Sequence, residues 1–453
     1  MRRILSFILF LLSTTIAFAQ QISVEGRVVD ATTGERLPYV KIQYKSGGQD
    51  KLAIANSVGD FSFQADPDGM VHFSFIGYEK HSVKASKMPR TVRLSPWTNT
   101  MGELTVTAHD PMPLLLKINK QLKEEHSKHK KEEAQYFMRM LTTYKENSEL
   151  VEAFLTARSM GHLRDIAVVK GRYGRGEELE QGKQDKKDAQ NFHHVLELGP
   201  WFTHTKFWEN TTSPLNPYLS KSFLKKHYAG LTLEELSDST SGKYYVFEFK
   251  RTFKYWYNDG IVTGKLYVDA NTLHLLRFEG EVQNIFLTLD MGSYRSHSAM
   301  LMYLRITFDH SKGYTEVSNM DCTMISHGLN VTSKCVLFNV DEIDLSTGLQ
   351  KDGTPEADTK LKGKRLGENL LGSVQDAGFD EALWEKSNIM KRTDEEMAAM
   401  NITSQPDSLA TATSSRQSAP LVPRRITRTK STSGQGYVES PYYKALESMK
   451  RKR

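Results

Sequence analysis

His194 and Glu197 stand three positions apart, the H-x-x-E spacing with which many zinc hydrolases grip their metal. A working site also needs a third ligand, a general-base glutamate and an arginine for a substrate carboxylate, all in one cleft. Further histidines occur at His274, His297 and His310, but nothing around them completes such a set. In a chain with 14 histidines one such spacing is expected by chance, so zinc-dependent hydrolysis is only a distant alternative. No G-x-S-x-G elbow and no glycine-rich phosphate loop occurs. Acidic residues are plentiful, yet no pair is singled out as an acid/base couple. The reading therefore names no catalytic, cofactor-binding or metal residue. Trp201, Trp208, Tyr255, Trp256 and Tyr257 make an aromatic-rich middle. It reads first as core and second as a sugar-stacking platform.

Two cysteines occur, Cys322 and Cys335. The stretch His327-Gly328-Leu329-Asn330 suits a two-residue hairpin with glycine at the first turn position. That register sets Cys322 opposite Cys335 and Met320 opposite Leu337. An oxidising compartment makes a disulfide between them possible; the alternative is two buried free thiols.

The compartment is read from the first residues. Met1-Arg2-Arg3, an apolar run from Ile4 to Leu12 and Ala17-Phe18-Ala19 before Gln20 follow the order of a cleavable secretory signal. Cleavage is expected between Ala19 and Gln20. The apolar run is interrupted at Ser13-Thr14-Thr15, short of the roughly 20 residues a spanning helix needs, and no later stretch is apolar enough. The expected location is the periplasm or the periplasmic face of the outer membrane. The formal charge of +6 falls to +4 once Arg2 and Arg3 leave, and most of the remainder lies in the tail. Nucleic acid is therefore not an expected partner.

The elements that would position any site are mainly β. Short β-runs from Ile22 to Val29, Tyr39 to Tyr44, Leu52 to Ala55, Phe61 to Gln64, Val71 to Phe75 and Thr91 to Leu94 predict an Ig- or prealbumin-like β-sandwich over 20–95. Residues 96–110 form a linker with one more β-run, Leu104 to Thr107. Asp110-Pro111 predicts a helix start, with Leu115, Ile118 and Leu122 on one face. From 111 to 347 the period-two alternation of Met300, Met302, Leu304, Ile306 and Phe308 predicts a curved antiparallel sheet. The helix is a candidate cover for its apolar face. Residues 348–403 read as an irregular segment with amphipathic stretches at Asp380 to Lys386 and Asp394 to Met400. The tail, 404–453, is basic and nearly free of large apolar groups, which predicts disorder. It reads as a solubilising tail or as a contact for anionic lipid or polysaccharide.

Ser23-Val24-Glu25-Gly26-Arg27-Val28-Val29-Asp30, Thr33-Gly34-Glu35, Leu37-Pro38-Tyr39-Val40, Asn56-Ser57-Val58-Gly59-Asp60-Phe61 and Phe75-Ile76-Gly77-Tyr78 resemble the carboxypeptidase-like regulatory domain. Phe379-Asp380-Glu381-Ala382-Leu383-Trp384 and Asn388-Ile389-Met390-Lys391-Arg392-Thr393 with Glu395-Glu396 resemble the C-terminal signature of Bacteroidota envelope proteins that carry this domain. The resemblance implies an accessory sandwich without a peptidase domain or a receptor barrel. It leads to a non-enzymatic envelope protein that binds or scaffolds an unknown protein, glycan or lipid. The alternative is a periplasmic carrier of an apolar ligand, since Gly264 to Asp269 is weakly similar to periplasmic lipoprotein carriers.

Overall fold

The computed structural model describes residues 21–75, 78–96, 110–144, 147–159, 163–175, 221, 224, 232–238, 242–249, 261–291, 294–326, 331–341, 364–365, 370–380, 383–384 and 389–400. The signal, the run at Leu104, His194, Glu197, the five aromatics of the middle and the basic tail lie outside the described residues.

The architecture is mainly β. Strands β1 (Ile22–Asp30), β2 (Lys41–Ser46), β3 (Gln49–Ile54), β4 (Asp60–Ala65), β5 (Met70–Ser74), β6 (His81–Lys84) and β7 (Thr91–Leu94) build the first part. They form two sheets in the orders β4-β1-β7 and β3-β2-β5-β6. Val28, Phe61, Phe63 and Val92 from one sheet share a core with Ile42, Val71 and Phe73 from the other. Each such side chain contributes about 1.5–3 kcal/mol on burial. The β4 turn shows why its residues are needed. Asn56 Oδ1 accepts from the amides of Val58 and Asp60, while Gly59 takes a left-handed φ of 77° that a side chain would strain. The expected run from Tyr39 begins instead at Lys41, because Tyr39 itself is left-handed, with φ 63°. Strand β6, HSVK, lacks alternating large apolar groups and gave the sequence reading nothing to detect.

The second part is one antiparallel sheet of eleven strands. In chain order these are β8 (Ala134–Tyr144), β9 (Asn147–Ser159), β10 (Leu163–Arg175), β11 (Thr232–Asp238), β12 (Gly242–Phe249), β13 (Ile261–Asp269), β14 (Leu275–Met291), β15 (Tyr294–Asp309), β16 (Glu316–Ser326), β17 (Val331–Asn339) and β18 (Lys364–Arg365). Their spatial order is β11-β12-β13-β14-β15-β16-β17-β8-β9-β10-β18.

Residues directly opposite in neighbouring strands share a face, so the registers can be read as rows across the sheet. Phe249, Gly264, Gly280, Leu304, Cys322, Cys335, Met140 and Val151 form one row. It is apolar and belongs to the largest core. The adjacent row, on the other face, is Glu248, Lys265, Glu279, Arg305, Asp321, Val336, Arg139, Glu152 and Arg172. Charges alternate in sign along it, with Val336 as its one apolar member.

Helix α1 (Pro111–His129) covers the apolar face, as the sequence implied. Asp110 caps it by accepting from the Met112 amide at 3.0 Å. Met112, Leu115, Ile118 and Leu122 make its buried stripe. Helix α2 (Leu370–Ala377), which the sequence reading did not anticipate, adds Leu370 and Val374 to the same core. Its end also shields β10: the Gly171 amide donates to Gly378 O at 3.1 Å, and Lys170 donates to Ala377 O at 3.3 Å. Because β18 pairs only Ala167 and Val168 of β10, covering the rest of that outer edge in this way removes an invitation to aggregate.

Candidate functional site

The opposite face of the sheet carries two features, a closed junction and an open groove. At the junction the sandwich meets the sheet through a strap whose described residues are 378–380, 383–384 and 389–400. The Ile54 amide at the end of β3 donates to Ile389 O at 2.6 Å, and Ile54 bridges Met390 in parallel. Leu52 and Ile54 from the sandwich join Phe137, Phe154, Val336 and Phe338 from the sheet and Leu383, Trp384, Ile389 and Met390 from the strap in a single core. Tyr39 packs beside them, its ring 5.8 Å from that of Phe338. Asp380 fixes the strap's turn by accepting from the Leu383 amide. Helix α3 (Asp394–Met400) follows, as expected, held by a reciprocal capping pair between Thr393 and Glu396.

Beneath the strap lies a buried charge network. Glu152 is fully buried. It accepts from Arg139 Nε at 2.7 Å, Arg172 Nε at 2.6 Å and Arg392 Nη2 at 2.7 Å. Burial pushes its carboxyl up, but Arg139, Arg172 and Arg392 outweigh that and hold it at about 2. Arg139 turns its other nitrogens outward, donating to Met390 O at 2.7 Å, Lys391 O at 3.2 Å and Glu396 at 3.1 Å. The middle of the strap's backbone is thus clamped between the edge of the sandwich and a guanidinium of the sheet. The carboxylate can only hold these partners; each of its oxygens faces arginine. Sequence reasoning missed this network. The available signal was one charge inside each of two otherwise apolar runs, Met138-Arg139-Met140 and Val151-Glu152-Ala153, since a lone charge in a doubly buried strand must be paired.

The cysteine register is as the hairpin predicted: Cys322 faces Cys335 and Met320 faces Leu337. Both thiols are buried and unbonded in this structure. Burial pushes both well above the usual thiol range. Of the histidines considered for metal, His274 and His310 stack with centroids 4.1 Å apart. His310 donates to Leu275 O at 2.7 Å, and burial lowers its pKa. Nearby, Glu125 of α1 accepts from the amide and hydroxyl of Thr315 at 2.9 and 2.7 Å. These contacts pin the end of α1 to the turn between β15 and β16. Among the described residues no three of His, Cys, Asp or Glu are placed to hold a metal. His297 lies in β15.

The groove crosses strands β12 to β15, away from the sandwich. It has a volume of about 550 Å³ and is lined by Glu248, Thr263, Lys265, Glu279, Glu281 and Tyr303, with Gly264 and Gly280 in its floor. Those glycines are opposite one another. A methyl group on Gly264 would fall 2.2 Å from Glu279 O, and one on Gly280 2.2 Å from Thr263 O, so only glycine permits this approach. Tyr303 is 47% exposed. Glu279 pairs with Arg305 at 3.1 Å and Arg277 at 3.5 Å, both at Oε1.

No family model matches the chain, and no curated protein matches it. Among solved structures, a candidate carbohydrate-binding protein from Bacteroides uniformis is similar at 12% identity, over 34% of this chain and 98% of that one, with a TM-score of 0.15. A 9R-lipoxygenase from Cyanothece is similar at 9% identity, over 72% and 43%, with a TM-score of 0.13. Likenesses of this size carry no functional argument.

Proposed function

We propose that the chain is a non-enzymatic protein of a bacterial cell envelope, with a binding or scaffolding role in which sandwich and sheet act as one body. The observation that carries this is the strap. It seals the sandwich to the sheet through one shared apolar core and five buried or half-buried charged groups, Arg139, Glu152, Arg172, Arg392 and Glu396. Polar residues gathered there are consumed in holding the junction, which suits a rigid presenting surface. The resemblance of residues 20–95 to the carboxypeptidase-like regulatory domain is supported by the two-sheet sandwich and the glycine turn at Gly59. Export is supported by the order of residues from Met1 to Ala19.

A carrier of apolar ligands would need the apolar face of the sheet emptied, and α1 lies on that face with its stripe buried. The scaffold reading therefore takes precedence.

The test is native mass spectrometry of the chain extracted from bacterial envelopes, with N-terminal sequencing of the same sample. A mature chain starting at Gln20 and retaining a bound partner is expected. Recovery from the cytoplasm with Met1 intact would overturn the compartment. A bound lipid, with α1 displaced, would favour the carrier.

A further inference from the structure

We propose that the groove over β12 to β15 binds a neutral oligosaccharide; this rests on the binding reading above and names its ligand class. The groove is built by four neighbouring strands, which present Glu248, then Thr263 and Lys265, then Glu279 and Glu281, then Tyr303 on one face. Where Gly264 meets Gly280 the strands approach too closely for any side chain. Both glycines belong to the row that faces the core, so only their backbone reaches this surface, and the polar side chains of the adjacent row stand around it. Its space of about 550 Å³ is largely open to solvent, so a ligand would lie along it with one side exposed.

The chemistry selects the ligand. Glu248, Glu279 and Glu281 are matched in number by Lys265 and the two arginines that pair with Glu279, Arg277 and Arg305. Charged acceptors and donors alternate from strand to strand at this surface, with no cluster of one sign to draw a polyanion or a polycation. It suits a ligand whose groups both donate and accept. A sugar hydroxyl does so, giving its proton to a carboxylate and taking one from an ammonium. Arg277 and Arg305 both engage Oε1 of Glu279, and this fixes the carboxylate without filling its capacity of about four lone pairs. Tyr303 supplies the remaining element, an aromatic ring 47% exposed beside these groups, on which the C–H face of a pyranose can lie.

The experiment uses the full mature chain and a panel of maltohexaose, cellohexaose, xylohexaose, mannohexaose and chitohexaose, followed by saturation-transfer NMR and calorimetry. At least one sugar is expected to bind. Tyr303→Ala and Glu281→Gln should each weaken it about tenfold or more, while Tyr303→Phe should keep most of the affinity. Because Tyr303 is on the surface, its variants are expected to fold, and circular dichroism checks this. No binding across the panel, or equal binding by Tyr303→Ala, overturns the sugar site. If the sugars fail while the envelope extract still yields a protein partner, the scaffold reading stands and only the groove proposal falls. If a sugar binds and is shortened, the ligand class stands and the non-enzymatic reading falls.

Discussion

The guanidinium of Arg172 lies over the indole of Trp384, 3.9 Å from the ring centre, so a strand of the sheet grips the strap by a cation–π contact as well as by its shared carboxylate. Trp384 also meets Phe154 at 4.8 Å and Phe137 at 6.4 Å. Trp384→Ala should therefore cost about 3–5 kcal/mol at the junction. Calorimetry should split one unfolding transition into two, the sandwich melting apart from the sheet. A single transition at the original temperature would show that the junction does not depend on this ring.

Glu152 makes the junction acid-sensitive. Its folded-state pKa of about 2 lies below the ordinary 4.5, so its contribution is full above about pH 4.5 and drains away as the pH falls toward 2. Acid unfolding followed by tryptophan fluorescence should show this window. Glu152→Gln should abolish that part of the pH dependence and cost about 3–5 kcal/mol at neutral pH, because it leaves buried guanidinium groups uncompensated.

Cys322 and Cys335 are expected to form a disulfide in the exported protein. An intact bond closes a short loop and should add about 3 kcal/mol. Non-reducing peptide mapping of envelope-extracted chain should link the two peptides, and reduction should lower the unfolding midpoint. Since burial disfavours the thiolate at both positions, the bond should form before the sheet closes over α1; refolded reduced protein should oxidise slowly. Two thiols that alkylate without prior reduction and after denaturation would remove the bond.

Glu125→Ala should loosen the end of α1 by leaving the Thr315 amide without its acceptor, a loss of about 1–3 kcal/mol. Hydrogen exchange is the sensitive measure. Amides in the last two turns of α1 should exchange faster, while those around Met112 and Leu115 should be little changed.

Much of the fold was legible because its signals are local. Alternation gave several of the strands, Asp110-Pro111 gave the helix start, and the hairpin at Gly328 gave the cysteine register, which the ladder reproduces. The junction was legible only as motifs. Tyr39 and Ile389 each stood in a quoted stretch, but nothing local says that both meet the same sheet. The ion network escaped for the same reason: Arg139 and Arg392 are paired through Glu152, and only the tertiary fold brings them to one carboxylate. The groove depends on Gly264 and Gly280 meeting across two strands, and a glycine in a strand has many explanations until its partner is known.

The strap has a consequence for how the molecule is assembled. Arg139 and the Met390 carbonyl it clamps are separated by 251 positions, and the sandwich precedes both. On a chain that emerges N-terminus first, the sandwich can fold early, but it has nothing to dock against until the strap has crossed. Slow long-range closure is then the last step of maturation. Until it occurs, the faces of Leu52, Ile54 and Phe338 stand open to any chaperone or protease that waits at the exit.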